Sequence, residues 1–165
     1  MGLESFSVTP ERQKRISEFM GSKISSSGEI RGDFWIQIMG DELRALIEFL
    51  RSDPELLFDS FVDLCGVDYM ARKPRFEVVV HLFSQPHQHQ IRIRVGVPDA
   101  TLTVPSLTPY WRGANWQERE AYDMYGILFE GHPKLERILS APDVTLFPQR
   151  KDYPLKGDRE TPEDL

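Results

Sequence analysis

Residues 76–97 read FEVVVHLFSQPHQHQIRIRVGV. In the first part Phe76, Val78, Val80 and Leu82 alternate with Glu77, Val79, His81 and Phe83; in the last, Ile91, Ile93, Val95 and Val97 alternate with Arg92, Arg94 and Gly96. A period of two puts each apolar set on one face of a strand, so the stretch predicts a hairpin closed over residues 84–90. Such a face needs a cover. Leu43, Leu46, Ile47 and Leu50 fall at i, i+3, i+4 and i+7 with Pro54 beyond, which predicts a helix over 41–51 whose stripe can supply it.

Working outward, Thr9-Pro10-Glu11 is a helix start, because a hydroxyl can cap, Pro fits the first turn and Glu complements the dipole; Ile16, Phe19 and Met20 then share a face before Gly21. Residues 23–30 and 34–39 read as strands around Arg31-Gly32-Asp33, whose glycine suits a tight turn, and 56–65 as a buried strand ended by Gly66-Val67-Asp68-Tyr69. The order α-β-β-α-β-β-β implies an α+β fold: two layers, a mixed sheet with helices on one face, over residues 1–99. A helical segment over 100–126 and an extended interaction segment over 127–165 follow. Five of the 12 prolines lie in 133–165, where regular structure is improbable, yet Leu135, Ile138, Leu139, Leu146, Phe147, Tyr153 and Leu155 require a surface to lie against.

Composition narrows the function. The 165 residues suffice for one core without a disulfide, and the lone Cys65 excludes a four-cysteine cluster within the chain. Net charge of −6 has the wrong sign for tracking a phosphate backbone, so nucleic acid is excluded as a partner. No apolar run approaches the roughly 20 residues of a membrane span, and residues 1–17 lack the apolar stretch of a secretory leader. Gly2 could suggest a lipid anchor, but Phe6 stands where that motif wants Ser or Thr.

Asn115-Trp116-Gln117-Glu118 has capping-box spacing and Gly126 suits a left-handed stop, which predicts a helix over 116–125 capped by Asn115. It concentrates Glu118, Arg119, Glu120 and Asp123. A small carboxylate-dependent metal hydrolase using Glu118, Glu120, Asp123 and His132 is one reading; a cap plus ion pairs to a partner is the favoured one. His81, His87 and His89 lack an acid or cysteine to complete a zinc set and read as incidental surface histidines, while His132 sits in a turn where its ring can bond backbone. Arg150-Lys151-Asp152-Tyr153 suits ion pairing with a protein better than phosphate binding. No Walker, Rossmann or nucleophile-elbow pattern occurs.

NWQEREAYDMYGILFEGHPKLERIL (115–139) with RKDYPL (150–155) resembles the signature of the C-type subunits of proton-pumping NADH:quinone oxidoreductase, respiratory complex I. The likeness continues upstream through FVDLCGVDY (61–69), RFEVVVHLF (75–83), IRIRVGVPD (91–99) and VPSLTPYWRGA (104–114), whereas residues 1–55 match only in their pattern of elements. Val144, Leu146, Phe147 and Gln149 replace a Trp, Gly, His and Leu usual in the family. The resemblance implies a cofactor-free, membrane-peripheral protein of the hydrophilic arm, on the cytoplasmic face of the bacterial inner membrane. It implies docking on the large D-type subunit that shapes the quinone site, near iron-sulfur subunits, with FMN and iron-sulfur clusters in partner subunits. It also implies that Glu118, Arg119, Glu120, Asp123, Gly126, Gly131, His132, Pro133, Arg137, Arg150, Lys151 and Asp152 serve assembly through backbone geometry and inter-subunit ion pairs. An equivalent subunit of a related membrane-bound hydrogenase or non-NADH dehydrogenase is the alternative within that class.

Overall fold

The computed structural model describes residues 6–153; Gly2, Pro154, Leu155 and the rest of the end of the 127–165 segment lie outside the described residues. Its elements run α1 (Pro10–Met20), β1 (Ser26–Ile30), β2 (Asp33–Met39), α2 (Leu43–Ser52), β3 (Ser60–Asp68), β4 (Phe76–Ser84), β5 (His89–Val97), β6 (Thr103–Pro105), α3 (Ala114–Tyr125) and β7 (Leu128–Glu130). The main sheet has the order β1-β2-β5-β4-β3. All neighbours are antiparallel except β2 and β5, which run parallel at its centre, so the sheet is mixed and the fold α+β.

The alternation in residues 76–97 gives β4 and β5 their faces. Phe76, Val78, Val80, Leu82, Ile91, Ile93, Val95 and Val97 are buried with Phe34, Ile36 and Ile38 of β2, and the stripes of α1 and α2 close over them. Arg31 and Gly32 both take positive φ, 54° and 86°, which turns β1 into β2 with the twist a two-residue hairpin needs. On the other sheet face Glu77 is buried, and Gln37 and Arg94 bond it at 2.6 and 2.9 Å.

Three expectations are corrected. The apolar run 56–65 is not one strand: Leu56 and Phe58 are a plug after α2, with the Phe58 amide on the Leu50 carbonyl, and β3 begins only at Ser60. It then continues through Gly66 to Asp68, because a side chain at 66 would stand 2.5 Å from the Tyr125 ring and only glycine lets α3 pack there. The strand expected over 23–30 starts at Ser26, after a 3-10 turn at Gly21–Lys23. His87 and His89 are not incidental: both Nδ1 atoms accept from Arg12, at 2.9 and 3.3 Å, and their Nε2 atoms donate to the Pro54 and Leu56 carbonyls. His89 is buried, and that burial depresses its basicity to about 4.

Beyond β5 the chain builds a second, two-stranded parallel sheet from β6 and β7, flanking α3. Val104, Leu107, Ala114, Ala121, Ile127 and Phe129 join the same apolar core as the main sheet. After Glu130 the described chain has no further helix or strand, and residues 131–153 lie as a strap across α3 and the β3–β4 end of the sheet.

Candidate functional site

The motif residues of 115–139 and 150–152 gather where α3, the 106–108 loop and the strap meet. α3 starts two residues earlier than its spacing suggests. Gly113 is the N-cap, no side chain caps the helix, and Asn115 lies in its first turn, so the capping-box reading is overturned. Glu118 is turned inward instead. Its carboxylate accepts the Leu107 amide and the Ser106 hydroxyl, each at 2.6 Å. Burial pushes its carboxyl up to about 7, against the lowering pull of those two donors.

Asp123, five residues on, is equally buried and behaves in the opposite way. Its Oδ2 accepts three successive amides, Ile138, Leu139 and Ser140, at 3.0, 2.8 and 2.8 Å, and Arg137 reaches Oδ1 at 2.6 Å. Burial favours the neutral acid, but four donors on one carboxylate outweigh it and hold the group below the ordinary range. Three consecutive amides converging on one oxygen form an anion-binding nest, here filled by the chain's own aspartate. Arg119 completes this attachment by donating to the Glu136 and Arg137 carbonyls.

The strap's far end is held through Asp68, the last residue of β3. Arg75 forks onto it at 2.9 and 2.8 Å, and the Met70 and Lys151 amides add two more bonds. Arg75 first, then those amides, keeps the Asp68 carboxyl well below its usual range despite burial. Arg75 also reaches Asp152. Arg150 donates to the Tyr125 carbonyl at 2.7 Å and lies over the rings of Phe76 and Phe147. Gly126 ends α3 at φ 75°, tight against Arg150 and Phe147.

The structure thus turns Glu118, Asp123, Arg119, His132, Arg137, Arg150 and Asp152 to contacts within the chain. Glu120 and the Lys151 side chain stay exposed, as do Gly131 and Pro133. Of the four groups in the hydrolase reading, Glu118 and His132 come within 4.0 Å, while Asp123 is locked in its nest. Among the described residues no three His, Cys, Asp or Glu side chains are grouped to hold a metal ion. Sequence reasoning misses Asp68, Arg75, Ser106 and Leu107 as partners of the motif. Asp68 and Arg75 stand inside the stretches 61–69 and 75–83, but their pairing with position 152 is a long-range contact that no local spacing announces.

Residues 36–159 match the family described as the respiratory-chain NADH dehydrogenase, 30 kDa subunit. The C-type subunit of NADH-quinone oxidoreductase from Roseiflexus castenholzii is 46% identical over 141 residues, covering 86% of this chain and 81% of that protein. Its counterpart from Herpetosiphon aurantiacus is 48% identical over 128 residues, covering 78% and 75%. Among solved structures, a trypsin-resistant fragment (1–134) of Nqo5 superimposes with a TM-score of 0.66 at 28% identity, covering 74% of this chain and 98% of that one. A chain of the membrane-bound sulfane sulfur reductase, an archaeal respiratory membrane complex, shares the fold with a TM-score of 0.71 at 23% identity, covering 88% and 85%. No helix among the described residues is long and apolar enough to cross a membrane. The chain belongs to the family of the 30 kDa subunit of respiratory-chain NADH dehydrogenase and is a subunit of an NADH-quinone oxidoreductase.

Proposed function

We propose that the chain is a cofactor-free structural subunit of the peripheral arm, on the cytoplasmic face of a bacterial inner membrane. It docks on the large D-type subunit at the quinone site, beside iron-sulfur subunits. Electrons pass from NADH through FMN and iron-sulfur centres of those partners to quinone. The observation that carries this reading is how the motif spends its charges: Asp123, Arg137, Arg150 and Asp152 fasten the strap inside the chain. Large apolar groups are left outward on the same segments, with Trp116 of α3 61% and Leu139 of the strap 66% exposed. Such groups are typical anchors for a protein partner, whereas a catalyst needs free polar groups converging on a cleft. Inter-subunit ion pairing falls on the motif charges that remain exposed, Glu120 and Lys151.

The test reverses charge at those two exposed positions, Glu120→Lys and Lys151→Glu, and introduces Trp116→Glu, in the whole complex. Subunit stoichiometry and NADH:quinone rates are measured on the purified material. Assembly is expected to fall while the rate per assembled complex holds. A variant that assembles fully and is inactive would overturn the scaffold reading.

A further inference from the structure

The side chains of Glu118 and His132 are both 0% exposed and lie 4.0 Å apart. A buried carboxylate ordinarily keeps its charge only beside a cation or within a full set of donors. His132 is not that cation. Its Nδ1 accepts the Lys134 amide at 3.0 Å, which leaves the ring proton on Nε2, facing the Asn115 carbonyl at 3.3 Å. A second proton on the ring would have to displace that amide, and burial lowers the basicity of the ring further.

The other elements around Glu118 offer no charge either. On α3 itself, Arg119 turns its guanidinium to the Glu136 and Arg137 carbonyls and Glu120 faces solvent. On the strap, Lys134 is paired with Glu136 at 3.2 Å. The 106–108 loop brings hydroxyls and an amide alone. Among the described residues, no Lys or Arg nitrogen forms an ion pair with the Glu118 carboxylate.

Those hydroxyls form a chain. Ser106 Oγ lies 2.6 Å from Glu118 Oε2 and 2.7 Å from Thr108 Oγ1, and it accepts the Thr108 amide at 3.1 Å. Thr108 in turn lines a surface groove of about 580 Å³ with Pro109, Arg112, Trp116 and Pro133. The chain satisfies the carboxyl in either state. When Glu118 is ionised, Thr108 donates to Ser106 and Ser106 to Oε2. When it is protonated, Oε2 donates to Ser106, whose hydroxyl turns to Thr108. Water in the groove therefore protonates Glu118 by relay: Thr108 Oγ1 takes a proton from water and gives its own to Ser106, and Ser106 gives its own to Oε2; the same transfers in reverse return the proton to water, with every other bond intact.

We propose that Glu118 is a reversible proton-binding site, loaded from the Trp116 groove through Thr108 and Ser106. Its elevated titration point, about 7, puts the exchange in the neutral range. The groove shares Trp116 with the proposed docking surface, so the site is tested on the full chain alone, where no partner covers the groove.

The experiment is a carboxyl-carbon NMR titration of the full chain carrying labelled glutamate, from about pH 5 to about pH 9, well above the ordinary glutamate range. One glutamate is expected to titrate in that window, and Glu118→Gln to remove it. Two further variants keep the test open if that one fails to fold. Ser106→Ala takes a donor from the ionised form and should move the midpoint up. Thr108→Val leaves the protonated form's hydroxyl without an acceptor and should move it down, each by roughly threefold or more in proton affinity. Absence of a titrating glutamate in the window, its persistence in Glu118→Gln, no shift in either variant, or shifts in the same direction would each overturn the proposal.

Discussion

Arg75, just before β4, holds Asp152 through two guanidinium nitrogens, at 3.0 and 2.8 Å. The same guanidinium is already forked onto Asp68, so one side chain ties a sheet edge to the strap. Asp68 is shielded and Asp152 half exposed. The Asp68 arm therefore carries most of the energy, and the Asp152 arm sets where the strap lies. Arg75→Ala should destabilise the chain by about 3 kcal/mol, because it leaves a buried carboxylate unpaired. Arg75→Lys should recover only part, since an ammonium cannot make the fork. Urea denaturation measures the loss, and faster trypsin cleavage after Arg150 and Lys151 reports the loosened strap.

The Asp68 pairing also fixes a pH dependence. The folded state holds this carboxyl below its reference value of 3.8, so its contribution is present above that value and fades as pH falls through and below it. The stability advantage of wild type over Asp68→Asn should accordingly be constant near neutrality and shrink below about pH 4. Equal differences at pH 7 and at the acid end would count against the pairing.

Asp123→Asn tests the nest. Asparagine keeps the shape but removes the charge that three amides and Arg137 converge on. A loss of about 3 kcal/mol is expected. Amide hydrogen exchange at residues 138–140 should accelerate, while exchange in β4 and β5 changes only as far as global stability does. Slow exchange at those three amides in the variant would contradict the assignment.

Gly126→Ala meets two penalties at once. Its φ of 75° disfavours any side chain, and a Cβ there would stand 2.6 Å from the Arg150 guanidinium and 2.7 Å from the Phe147 ring. The left-handed conformation alone costs about 1 kcal/mol, and displacement of Arg150 from its place over Phe147 adds to it. A thermal melt should show the drop, and fluorescence-detected proteolysis the freed end of the strap. Asn115→Ala is the contrast: its side chain caps nothing, so stability should stay within about 0.5 kcal/mol of wild type.

The legible parts of the fold are those whose signal is local. The alternation in 76–97 and the stripe at 43, 46, 47 and 50 repeat with the period of their own element, and both elements form there. The start of β3 is hidden because Leu56 and Phe58 are apolar for a tertiary reason, as a plug beneath α2, and a plug and a strand look alike over ten residues. The site is legible as a set of residues but not as a geometry. Asn115 and Glu118 have the spacing of a capping box, yet the helix begins two residues earlier and Glu118 points to Leu107. Nothing in EREAYD indicates that its first acid is buried without a cation while its last sits among four donors.

Synthesis imposes an order on this architecture. Trp35 of β2 pairs with Arg92 of β5 in the parallel seam, so the N-terminal hairpin has no sheet to join until the chain has been made through Val97. Until then the apolar sides of β2 and α2 lack the central β5 face on which they finally pack. Such a nascent chain exposes both a strand edge and a greasy surface during translation, the condition under which chaperones are recruited and chains aggregate. Truncations ending before β5 should therefore accumulate as insoluble material, whereas truncations ending after β7 keep the seam and the shared core and differ chiefly in the strap.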